Sequence, residues 1–117
     1  MKVLNNIIEK PWGKFYDLAE EAGKWHTKIL IIKKGEQLSL QKHEKRSEVF
    51  VVCEGKVRAI KGKKKTILSP QKTILINKKQ AHRLEAIIDS VVIEISFGEH
   101  DESDIVHIQD NYGRVSK

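Results

Sequence analysis

Cysteine is almost missing from this chain: Cys53 is the only one in 117 residues. A single thiol excludes an intramolecular disulfide and any multi-cysteine zinc site. Long apolar runs are missing too. The longest purely aliphatic one, Ile29-Leu30-Ile31-Ile32, is far too short to cross a bilayer. Residues Met1 to Pro11 hold no extended apolar stretch and do not read as a secretory signal. The cytoplasm is therefore the expected compartment, with no membrane partner. There is no internal repeat, no Gly/Ser-rich linker and no Gly-rich nucleotide loop. A length of 117 residues then predicts one domain, long enough to bury its own core.

What the chain does have is positive charge. The 22 Lys+Arg outnumber the 16 Asp+Glu, for a formal net charge of +6. Such a balance suits nucleic acid, an anionic surface or small anions. The densest basic run, Lys61-Gly62-Lys63-Lys64-Lys65, lies between two apolar segments and reads as a solvated hairpin tip. No tryptophan or phenylalanine is interleaved with it, so a base-stacking surface lacks its aromatic half. Nucleic acid is not an expected partner, and phosphorylated small molecules account for the charge more simply.

Short β-rich segments recur along most of the chain. Residues 28–32, 37–41, 48–53, 56–60, 65–68, 73–76, 82–86 and 90–96 are apolar or alternating. Turn residues separate them, among them Lys34-Gly35, Glu54-Gly55, Ser69-Pro70 and Asp89. Evenly spaced short strands predict an all-β sandwich or barrel. One stretch departs from the pattern. Residues 15–22 carry helix formers and are cut short by Gly23, which predicts a turn of helix or an irregular edge strand. Residues 99–104 read as an acidic loop and 105–108 as a last edge strand.

Four residues form a candidate metal set: Gln41, His43, Glu48 and His82. Gln41 and His43 are two apart, so on a strand they share a face. Glu48 follows a short connection, which predicts that its strand pairs with the first and sets Glu48 against His43. His82 opens a later strand that only the barrel could bring close. Two imidazoles, a carboxylate and an amide oxygen suit one divalent ion: zinc, manganese, iron, cobalt or nickel. Such a set leaves coordination positions open for a substrate.

The spacing of these residues resembles a known family. Gly35, five residues, Gln41-Lys42-His43, four residues, Glu48, six residues, Gly55 is similar to the first motif of the cupin superfamily. Glutamine in place of the first histidine resembles one branch, the C-terminal isomerase domain of type II phosphomannose isomerases. Further segments resemble the same branch in order: Lys10-Pro11-Trp12-Gly13-Lys14-Phe15, Leu38-Ser39-Leu40-Gln41, Arg46-Ser47-Glu48, Ala81-His82-Arg83-Leu84-Glu85, Asp104-Ile105-Val106 and Asp110-Asn111-Tyr112-Gly113-Arg114. The likeness runs from Glu9 to Arg114.

The resemblance implies a single cupin domain over residues 1–117, a double-stranded β-helix (jelly-roll barrel). Its core barrel would span about residues 26–98, with both terminal segments packed on it. It implies a metal held by Gln41, His43, Glu48 and His82, and a small sugar phosphate as ligand. Arg46, Arg83 and Arg114 fall in motif positions and are the phosphate-binding candidates, because a guanidinium grips phosphate with a planar fork. The implied activity is interconversion of mannose 6-phosphate and fructose 6-phosphate through an enediolate. Glu44, Glu85 and His100 are the candidate bases, since burial can tune carboxylates and imidazoles towards neutral pH. The chain also departs from the branch at Glu44, Lys45, Val49, Asn77-Lys78-Lys79 and Ala86. Those departures leave two other readings: a non-catalytic metal- and sugar-binding cupin, or an isomerase or epimerase for another sugar. Sheet edges left by a small jelly roll predict a homodimer.

Overall fold

The computed structural model describes residues 1–99, 103–104 and the backbone of 106–109. The strands are β1 (Lys2–Lys10), β2 (Gly13–Glu21), β3 (Trp25–Ile32), β4 (Leu40–Lys42), β5 (Arg46–Glu54), β6 (Val57–Lys61), β7 (Lys64–Leu68), β8 (Thr73–Ile76), β9 (His82–Ala86), β10 (Ser90–Gly98) and β11 (Val106–Gln109). They form two antiparallel sheets. The larger has six strands in the order β1-β2-β3-β10-β5-β8, and the smaller has five in the order β11-β4-β9-β6-β7. The chain passes back and forth between the sheets, as a jelly roll requires. The all-β expectation holds.

The core fills one end of the space between the sheets. Val92 of β10 stands opposite Leu30 of β3 and Val52 of β5, and all three are buried. Val57, Ala59, Leu84 and Ala86 close it from the smaller sheet. Each fully buried aliphatic side chain contributes roughly 1.5–3 kcal/mol. Trp12 is buried there and its ring stacks on Phe15 with centroids 6.5 Å apart. The Trp12 carbonyl accepts from the Lys33 N–H at 2.9 Å, which ties the β1–β2 turn to the end of β3. Gly55 turns the chain between β5 and β6 at a φ of 91°, and a Cβ there would meet Ser90 Oγ and the Asp89 carbonyl.

Two sequence expectations need correction. Residues 15–21 are neither helix nor edge: they lie in β2, paired with β1 on one side and β3 on the other. Pairing on both sides outweighs the helix propensity of Leu18, Ala19 and Glu20, which is worth only tenths of a kcal/mol per residue. The irregularity survives as a register shift between Asp17 and Ala19. Second, β4 and β5 do not pair. They belong to different sheets, so His43 and Glu48 meet across the barrel interior rather than along a ladder. The basic run does form a hairpin tip: Lys61 pairs with Lys64 around Gly62 and Lys63, and Lys63 to Lys65 are exposed.

Candidate metal centre

Four elements converge on the polar end of the interior. β5 contributes Arg46 and Glu48, the residue after β4 is His43, β9 opens on His82, and β10 brings Ser96. All five are buried, Glu48 to 1% exposure. Ser96 stands opposite Glu48 in the register, and its hydroxyl donates to Glu48 Oε2 at 3.3 Å.

Both imidazoles are oriented by the backbone. His43 Nδ1 donates to the Asp104 carbonyl at 2.8 Å, and His82 Nδ1 donates to the Gln80 carbonyl at 2.9 Å. A carbonyl can only accept, so the proton sits on Nδ1 in both rings. Each Nε2 therefore turns inward, 3.3 Å from Glu48 Oε1 for His43 and 3.1 Å for His82, and carries a lone pair there when its ring is neutral. The rings sit 5.6 Å apart between centroids. Asp104 also accepts from the Glu44 and Lys45 N–H groups at 3.0 and 2.8 Å, fixing the connection that carries His43.

The electrostatics centre on the Glu48 carboxylate, with Arg46 and the two histidines around it. Burial works against charge on Glu48, but the two histidines outweigh it and hold its pKa well below the usual carboxylate range. Burial also opposes charge on His43, yet its contacts with Glu48 win and raise its pKa. Glu48 Oε1 and His82 Nε2 are buried without a hydrogen-bond partner among the described residues. Such orphaned atoms are costly unless something charged satisfies them. A divalent ion fits. Donor atoms about 2.1 Å from a shared zinc lie roughly 3 to 3.5 Å from one another, and the donor atoms of His43, Glu48 and His82 lie within 4.8 Å of one another. Nitrogen, nitrogen and carboxylate oxygen form the borderline donor set that zinc, iron, manganese, cobalt and nickel accept.

The remaining sequence candidates fall in different places. Gln41 is paired directly with His82 across β4 and β9, so the two share a face. Arg46 lies inside the centre, with Nη2 donating to His43 Nε2 at 3.2 Å and Nε 3.5 Å from Glu48 Oε2. Arg83 and Glu85 take the face of β9 opposite His82, where Glu85 accepts from Arg58 at 3.1 Å. The Glu44 side chain is exposed, 4.0 Å from Lys42. His100 and Arg114 lie outside the described residues. Three contributors went unassigned in the sequence: Asp104, Ser96 and the buried carboxylate Glu94. Asp104 stood in a quoted motif with no role attached, and Glu94 was masked by the aliphatic residues around it.

The family described as mannose-6-phosphate isomerase C-terminal matches residues 2–110. The chain belongs to this family. Among its relatives, mannose-1-phosphate guanylyltransferase ManC of Salmonella typhimurium is 34% identical over 115 residues, covering 96% of this chain and 24% of that protein. The alginate biosynthesis protein AlgA of Pseudomonas aeruginosa is 31% identical over 113 residues, covering 94% of this chain and 23% of that protein. The chain thus spans about a quarter of the length of these relatives. An RmlC-like cupin from Shewanella frigidimarina superposes with a TM-score of 0.74 at 16% identity, over 85% of this chain and 87% of that one. The fold is that of a cupin, and in this cupin the buried His43–Glu48–His82 cluster is a possible metal site.

Proposed function

We propose that the chain is a metal-dependent sugar-phosphate isomerase, interconverting mannose 6-phosphate and fructose 6-phosphate. The observation that carries the reading is the buried His43–Glu48–His82 set, in which Glu48 Oε1 and His82 Nε2 lack hydrogen-bond partners among the described residues, in a chain of the isomerase family. His43, Glu48 and His82 would hold the ion, with Gln41 beside His82. The ion would act as a Lewis acid on the sugar's oxygens. The chain's own residues do the rest. The Asp104 and Gln80 carbonyls keep both Nε2 atoms aimed inward, and Ser96 orients the Glu48 carboxylate. A sugar phosphate as substrate also suits the net charge of +6.

The test is a coupled assay of mannose 6-phosphate conversion, with protein reconstituted in turn with zinc, manganese, iron, cobalt and nickel. Turnover is expected with at least one ion, and a His43→Ala, His82→Ala double variant is expected to lose both metal and activity. Metal binding without turnover under every ion would overturn the isomerase reading in favour of a metal- and sugar-binding cupin.

A further inference from the structure

Glu94 occupies a position that an ordinary core strand would give to valine or leucine. It lies on β10 two residues before Ser96 and two after Val92, and all three side chains are buried in the interior. Register places it between Lys28 of β3 and Phe50 of β5. The Ser96 layer, with Glu48 beside it, is the metal centre; the Val92 layer is fully apolar. Glu94 is therefore the floor of the polar chamber. Phe50, its neighbour in the register, packs its ring 6.0 Å from that of His82. Only 8% of Glu94 is exposed, and its Oε2 has no hydrogen-bond partner among the described residues. Yet it is outside the cluster of possible ligands.

Burying a carboxylate oxygen without a hydrogen-bond partner is costly, and native proteins hold few such atoms, so this one calls for an explanation. The charged groups that face it are Glu48 and Arg46 from β5, His43 from the connection before β5, and Lys28 from β3. Asp17 of β2 stands beyond Lys28 in the same row. Burial first, and the Glu48 charge second, raise the Glu94 pKa from its ordinary value, with Lys28, Arg46 and His43 opposing. Its place in the buried row beside Ser96 and Glu48, with one carboxylate oxygen unpartnered among the described residues, is what suits it to handling a proton there.

We propose that Glu94 is the group that carries the proton between the first two carbons of the sugar phosphate, a role that rests on the isomerase reading above. Its carboxylate takes the proton from C2 of the open-chain aldose. The C2–H electron pair becomes the C1=C2 bond, and the carbonyl pair moves onto O1, giving an enediolate. The O2 proton passes to O1, the O2 pair forms the C2 carbonyl, and the C1=C2 pair takes the proton back from Glu94 at C1. The carboxylate is regenerated, and no oxidant or reductant is needed. This assigns the role to none of the three sequence candidates.

The experiment compares metal-loaded wild type with Glu94→Gln and Glu94→Asp. It measures bound metal, KM, kcat and deuterium uptake from solvent into the sugar. Glu94→Gln preserves shape, so metal content and KM are expected to stay within about threefold, while kcat falls by roughly 10²–10⁴ and deuterium uptake disappears. Glu94→Asp, which keeps a carboxylate, is expected to retain part of both. An active wild type with an equally active Glu94→Gln would overturn this proposal alone. Loss of bound metal in both variants would also overturn it, making Glu94 a support of the metal site. A wild type inert with every ion would overturn the isomerase reading and this role with it.

Discussion

At the candidate metal site a proton on His43 Nε2 would compete with a bound ion. The Asp104 and Gln80 carbonyls remove any choice of tautomer, so the competition is confined to the inward lone pairs. The raised pKa of His43, caused by Glu48 against the opposition of burial, sets the sign. Metal binding must expel that proton, so affinity is expected to weaken about tenfold per pH unit as pH falls below the His43 pKa. Glu48, held well below the carboxylate range by its histidines, stays ionised there and adds no slope. Without metal the sign reverses. The charged His43–Glu48 pair stabilises the fold fully below the unfolded imidazole pKa of about 6.5, and the contribution is lost as pH rises through the folded value. Dye-competition titrations of metal and thermal unfolding of the metal-free protein, both across about pH 5 to 8, check the two slopes. Parallel slopes would contradict the arrangement.

At the scale of the strand, the face that turns inward is the decisive variable. In β10 the buried side chains are Ser90, Val92, Glu94 and Ser96, whereas Val91, Ile93 and Ile95 are only half-buried. Binary patterning would place these the other way round, aliphatic in and polar out. β5 does the same, with Arg46 and Glu48 in and Val49 and Val51 facing outward. The inverted face is what builds a polar chamber at one end of an apolar barrel. Its register depends on the turns, and Gly55 is one that admits no side chain. Gly55→Ala combines a positive φ, worth roughly 1–2 kcal/mol, with overpacking of roughly 1–3 kcal/mol against Ser90 and Asp89. A loss of about 2 to 4 kcal/mol in urea unfolding is expected. A change under 1 kcal/mol would show that the turn relaxes freely.

At the scale of the whole molecule, the same inversion leaves an apolar surface. The outer face of the six-stranded sheet presents Ile29, Ile31, Val49, Val51, Val91, Ile93 and Ile95 half-buried, and Phe97 and Leu75 are 45% and 48% exposed. β1 is an edge strand whose Val3 and Ile7 are 65% and 61% exposed. We propose a homodimer that covers this sheet, since face-to-face sheets about 10 Å apart can share a two-fold core. Sedimentation equilibrium is expected to give twice the mass of 13.5 kDa, and Ile93→Lys is expected to shift it towards one chain. A monomeric wild type would overturn the assembly without touching the metal site.

Period-two apolar patterning and turn residues act locally, which is why the chain declares itself all-β in its sequence. The donor types and spacing of His43 and Glu48, and the candidacy of His82, were legible too, because chemistry and short-range spacing belong to the residues themselves. Three matters waited for the tertiary structure. β4 and β5 join different sheets, because the connection at His43 crosses the barrel instead of closing a hairpin. Asp104 reaches His43 over a separation of 61 residues, a contact no local pattern encodes. Glu94 faces inward because β3 and β5 fix the register of β10 from both sides, and register is a property of the assembled sheet rather than of any strand within it.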